Sequence, residues 1–112
     1  MLSAGKNELV VYERSDGKCP FGYWLSHLKD NRARDIIRVR LDRLAYGNAG
    51  KYERLGDDLY ELKIYFGPGY RVYFGEASRN LIVLLCGGDK NSQSEDIETA
   101  SQYWANHKKE KQ

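Results

Sequence analysis

The sequence predicts an α+β domain, and two observations carry that expectation. Apolar residues in the first half recur at a helical period, whereas from Leu59 onward they alternate with a period of two. A last stripe at helical spacing then closes the chain. The 112 residues fit one domain, 1–112. With 41% hydrophobic and 30% charged residues, the composition is that of an ordinary globular protein and excludes disordered and fibrous classes.

Glu8-Leu9-Val10-Val11-Tyr12-Glu13 reads as a strand, and Ser15-Asp16-Gly17 turns the chain. Phe21, Trp24, Leu25 and Leu28 fall at i, i+3, i+4 and i+7 on one helical face, with Pro20 suited to the first turn. Asp30 or Asn31 caps a second helix with apolar positions Ala33, Ile37, Leu41 and Leu44, and Gly47-Asn48 stops it. The short link between the two predicts a helical hairpin. Tyr60, Leu62, Ile64 and Phe66 then alternate with Glu61, Lys63 and Tyr65, and Gly67-Pro68-Gly69 reverses the chain. Tyr70, Val72 and Phe74 alternate with Arg71 and Tyr73. After Ala77-Ser78-Arg79-Asn80, the run Leu81–Cys86 is apolar on both faces, as a central strand is. Ile97, Ala100, Tyr103 and Trp104 mark the last helix, and the tail from about residue 106 is expected to fray. The predicted order is an N-terminal strand, a helical hairpin, a three-stranded antiparallel meander with one face covered by helix, and a C-terminal helix.

No apolar run is long enough to span a bilayer, and the polar start does not read as a signal peptide, so a cytoplasmic location with no membrane partner is expected. Cys19 and Cys86 are read as reduced thiols, Cys86 buried at the end of its apolar run. Cys19, His27, Cys86 and His107 do not have metal-site spacing, so neither metal nor cofactor is expected. His27 and His107 read as surface or boundary residues, and Trp24 and Trp104 as core. A net charge of +2 makes whole-molecule attraction to nucleic acid a weak argument, so any such argument rests on where the charges sit.

Alternation places Glu61, Lys63, Tyr65, Arg71 and Tyr73 together on the face opposite the apolar one. Lys90 follows the neighbouring strand, and Lys51 and Arg54 come just before. Such a surface suits single-stranded RNA: cations bind phosphate, arginine with two parallel bonds, and tyrosine rings stack on bases. RNA cleavage there requires in-line placement of the 2′-hydroxyl, loss of its proton, stabilisation of the phosphate charge and a proton for the leaving oxygen. No histidine lies on this face, so lysine and tyrosine would carry the protons. The plainer reading is a set of surface ion pairs worth about 0 to 1 kcal/mol each, because Lys51 to Lys90 holds six cations against six carboxylates. The stretch from Lys29 to Arg43 is more basic, with six cations against three carboxylates, and reads either as a solvated helix face or as a phosphate-tracking surface.

Several motifs go further in combination. They are Phe21-Gly22-Tyr23-Trp24-Leu25, Arg40-Leu41-Asp42-Arg43-Leu44, Leu59-Tyr60-Glu61-Leu62-Lys63-Ile64, Gly67-Pro68-Gly69-Tyr70-Arg71-Val72-Tyr73-Phe74 and Leu84-Leu85-Cys86-Gly87-Gly88-Asp89-Lys90. In order and spacing the chain resembles the RelE/ParE toxin superfamily, specifically the HigB-like, phage-derived addiction-module killer proteins. The resemblance implies a RelE/ParE-like fold and the toxin of a type II toxin–antitoxin system, with a cognate antitoxin of helix-turn-helix type. Operator DNA would be reached only through that antitoxin. It also implies metal-independent cleavage of messenger RNA on the ribosome. Arg71 matches the arginine that contacts the scissile phosphate, and Lys63 and Lys90 fall where the family carries basic residues. Tyr65 and Tyr73 would stack on bases, and Lys51 and Arg54 would hold substrate. A C-terminal tyrosine used by RelE has no clear match. Two other readings are a ParE-like inhibitor of DNA gyrase that is not a nuclease, and a degenerate toxin retained as an antitoxin-binding module.

Overall fold

A computed structural model describes residues 2–111 and is an α+β fold with a five-stranded mixed sheet and three helices. In chain order the elements are β1 (Glu8–Val11), α1 (Pro20–Ser26), α2 (Asn31–Ala45), β2 (Tyr52–Gly56), β3 (Leu59–Ile64), β4 (Tyr70–Ser78), β5 (Leu81–Asp89), a short 3-10 turn over Lys90–Ser92 and α3 (Gln93–Glu110). The strand order is β1-β5-β4-β3-β2. The expected three-strand meander is extended by β2, which pairs antiparallel with β3 through an Asp57-Asp58 turn whose two residues both have positive φ. The N-terminal strand joins the other edge, parallel to β5, which makes β5 an interior strand as its two-sided apolar sequence requires.

The helix ends follow their local chemistry. Pro20 stands at the first turn of α1. The Asp30 side chain accepts from the Arg32 and Ala33 amides to cap α2. At the far end the Gly47 and Asn48 amides donate to the carbonyls of Leu44 and Arg43, closing the helix with Gly47 at positive φ. Helix α1 sits on β5, and its Phe21, Trp24 and Leu25, with Leu28 just beyond its end, join the same apolar cluster as Ala33, Ile37, Leu41 and Leu44 of α2. Together they cover one sheet face, burying Phe21, Ile37, Leu41 and Leu44 against Tyr60, Leu62, Val72 and Phe74. The basic stretch on α2 is partly structural, since Arg40 donates to the carbonyls of Lys63, Ala49 and Lys51 and ties the helix to the β2–β3 edge.

The second face is not open. Helix α3 crosses it and buries Trp104 and Ala100 over Leu59, Tyr73, Val83, Leu85 and Cys86. A register shift between Tyr73 and Phe74 sets the Tyr73–Cys86 and Phe74–Leu84 pairs side by side, so β5 carries one extra residue there. This bulge is why Leu85 and Cys86, although consecutive, both face α3. Burial pushes the Cys86 thiol up to about 12, and both cysteines are free. The helix does not fray from residue 106. It runs to Glu110, with His107 stacked on Trp104 and Lys108 bound to Asp57 at 3.1 Å. The Trp104 indole also donates to the Asp57 carbonyl at 2.7 Å.

Two glycines permit the two tryptophans to lie flat on the sheet. A Cβ at Gly75 would stand 2.5 Å from the Trp104 ring, and one at Gly87 would meet the Trp24 ring on the opposite face. Gly75→Ala therefore lifts α3 off the sheet and is expected to cost about 1–3 kcal/mol, measured by chemical denaturation; an unchanged unfolding midpoint would contradict this packing.

Candidate functional site

The end of the β3–β4 hairpin and Lys90, at the start of the 3-10 turn after β5, enclose an open cleft of about 410 Å³, lined by Lys63, Tyr65, Arg71, Lys90 and the Phe66–Tyr70 turn. Cross-strand register explains the gathering. Lys63 pairs with Arg71, and Arg71 pairs with Gly88, so the two cations stand side by side beneath the end of β5. Lys90 leaves that strand two residues later and is exposed above the turn. Tyr65 is 73% exposed at the rim. Four of the seven expected residues thus share one cleft.

The other three do not. Tyr73, expected on an open face to stack on bases, is fully buried beneath α3 because that helix covers the second face as well. Burial, and then the neighbouring Glu61, hold its hydroxyl well above the usual phenol range. Arg54 is exposed, but it pairs with Tyr60 in register and so belongs to the opposite side of the sheet. Lys51 is exposed just outside β2 and does not line the cleft; its carbonyl accepts from the Lys63 amide.

The centre of the site is a residue that alternation placed among the surface charges. Glu61 is fully buried. Its Oε2 accepts from Gln93 Nε2 at 2.9 Å and faces Arg71 Nε at 3.6 Å, while Oε1 stands 4.0 Å from Lys63 Nζ. Glu53 on β2 meets the same lysine at 3.0 Å. Periodicity assigned Glu61 its face correctly. It gave no sign that a C-terminal helix would roof that face, or that Gln93 would reach down from it. Glu53 was missed because Tyr52–Gly56 was not read as a strand.

This pairing decides what the cations do. The hydrogen bond to Glu53 raises Lys63 above the usual lysine range, with burial opposing and Glu61 assisting, so Lys63 acts as a fixed ammonium and not as a proton acceptor near neutral pH. Side-chain exposures of 21% for Lys63 and 11% for Arg71 leave each a limited edge for a ligand. Arg71 also donates to the Gly69 carbonyl at 2.9 Å, which fixes its guanidinium to the turn. The arrangement suits an anion bound by oriented, partly desolvated cations. Among the described residues no cluster of three His, Cys, Asp or Glu side chains is placed to hold a metal ion, and no helix is long and apolar enough to cross a membrane.

Two outcomes test this picture. Glu61→Ala leaves two half-sequestered cations without their shared carboxylate, and a loss of about 3–5 kcal/mol in denaturant unfolding is expected; a loss below about 1 kcal/mol would mean that the ion pairs are no better than surface ones. Behind Gly88, Asp96 accepts from the Ser92 hydroxyl. Burial raises its carboxyl, the Ser92 hydrogen bond opposes, and Asp89 and Glu95 add to the rise. A raised folded value favours the protonated form, so that contribution to stability is complete below the unfolded carboxyl range and disappears as pH rises through the folded value. The Asp96→Asn variant should therefore gain stability relative to the parent as pH rises above the ordinary carboxyl range; a pH-independent difference would contradict this.

No family model matches the chain. A Haemophilus influenzae protein bearing the description "Uncharacterized protein" is 46% identical over 80 residues, which span 71% of this chain and 81% of the relative. At that identity and coverage the two share a core of common descent, and the chain belongs to the same family as this Haemophilus influenzae protein.

Proposed function

We propose that the protein is a toxin of the RelE/ParE kind, HigB-like in its motifs, that binds messenger RNA on the ribosome and promotes its cleavage. The observation that carries this reading is the convergence of Lys63, Arg71 and Lys90 on one cleft with Tyr65 exposed at its rim. The motif Gly69-Tyr70-Arg71 and the order of strands and helices support it alongside.

In this reading Arg71 receives the scissile phosphate with the guanidinium edge that faces the cleft. Lys63, held as an ammonium by Glu53, stabilises the charge that grows on the phosphate as the 2′-oxygen attacks phosphorus. Lys90, an exposed ammonium, gives a proton to the departing 5′-oxygen and is recharged from solvent, the 2′-hydroxyl proton passes to solvent water, and Tyr65 offers a ring to an adjacent base. Glu61 touches no substrate; it is a positioning residue that orients both inner cations. None of the described residues lining the cleft is a histidine, so the chain supplies phosphate binding and charge stabilisation. In-line placement of the 2′-hydroxyl then falls to the ribosomal A site. A cognate antitoxin, of helix-turn-helix type and encoded beside the toxin, would silence it in the cytoplasm.

A second reading, a toxin fold retained as a binding module, draws support from the pairing of Lys63 and Arg71 with carboxylates, which a phosphate must displace or accommodate. Induction of the wild type and of Arg71→Ala in a sensitive bacterium, with mapping of messenger 5′ ends, separates the two. New ends with the wild type and a reduction of roughly 10²–10³-fold in the variant are expected. Growth arrest by both without new ends would remove the nuclease assignment, and absence of arrest by either would favour the binding module.

A further inference from the structure

Beside the cleft lies a second layer of polar groups, centred on the buried Glu61. Gln93, the first residue of α3, donates to Glu61 Oε2 at 2.9 Å. The same oxygen faces Arg71 Nε, at 3.6 Å, beyond hydrogen-bond length. An arginine and a carboxylate sequestered together ordinarily close to about 2.7–2.9 Å, often through two bonds. Here they do not, and Arg71 Nε and Glu61 Oε1 are both buried without a hydrogen-bond partner among the described residues. The other end of the guanidinium is held by the Gly69 carbonyl at the cleft rim. Gln93 itself is set by the turn that precedes it: the Asp89 side chain accepts from the Asn91 and Ser92 amides, and the Asp89 amide donates to the Ser92 hydroxyl. The first residue of α3 is thereby fixed over the sheet.

We propose that Gln93 is a positioning residue: its bond to Oε2 holds the Glu61 carboxylate where Arg71 Nε does not close onto it, and leaves the guanidinium turned toward the cleft. The docked C-terminal helix then governs how available the phosphate-binding cation is. The consequence for RNA rests on the function proposed above, whereas the mechanical link between Gln93 and Arg71 does not.

The test is nitrogen–proton NMR of the Arg71 Nε–H in the full chain, together with affinity for a short single-stranded oligoribonucleotide. Gln93→Met keeps length and helix propensity and removes the donor. It is expected to move the Arg71 Nε–H proton downfield, slow its exchange with solvent and weaken oligoribonucleotide binding by roughly threefold to tenfold. Gln93→Lys restores a donor to Glu61 and should return the Arg71 resonance toward the wild-type position. A folded Gln93→Met protein whose Arg71 resonance stays at the wild-type position would overturn the inference, as would loss of thermal stability with no change at Arg71. If the resonance shifts but the wild type binds no oligoribonucleotide, the positioning role stands and the RNA reading fails.

Discussion

The seating of α3 on the second face of the sheet is the constraint on which the rest depends. It is made by Trp104 lying against Gly75, where no side chain intervenes, and by the indole bond to the Asp57 carbonyl. From that contact the helix extends to Gln93 at one end and to Lys108 at the other, bound respectively to Glu61 and Asp57. A β-sheet of this size with one bare face would present Leu59, Tyr73, Val83 and Leu85 to water. Their burial supplies the driving force for docking, in proportion to the apolar area removed from solvent.

Docking has an electrostatic consequence. Once roofed, Glu61 can no longer be hydrated, and a buried carboxylate is tolerated only with partners close at hand. Lys63, Arg71 and Gln93 are those partners. The cations are therefore oriented before any ligand arrives, which lowers the reorganisation a bound phosphate would demand. The same carboxylates also temper their attraction for it, so the proposed RNA cleft works by placement of charge more than by its amount. Lys90, exposed and outside this network, is the cation with the most freedom to follow a ligand.

The cleft lies where the turn between β3 and β4 meets the end of β5 and Lys90. Tyr65 projects from the rim, and the Phe66–Tyr70 turn carries no charge of its own. Such a rim receives a ligand by shape and stacking while the hydrogen bonds form beneath. Relationship to the Haemophilus influenzae protein extends over most of both chains.

Much of the fold was legible in the sequence because it depends on local rules. Proline at the start of α1, Asp30 as the cap of α2, glycine at its end, the Gly67-Pro68-Gly69 reversal and the alternation along β3 and β4 are each decided within a few residues. The same alternation brought Lys63 and Arg71 to one face, and the strand that ends at Asp89 delivered Lys90 beside them. Alternation assigns a residue to a face but does not say what covers that face. Tyr73 and Glu61 looked like surface residues, and Arg54 like part of the site, until strand order, the β2 pairing and the path of α3 were fixed. Sequence alone determined the elements and which side chains share a side of the sheet. Only the tertiary structure decided which sides are buried, because burial arises from contacts between residues far apart in the chain, here Gln93 with Glu61 and Trp104 with Gly75.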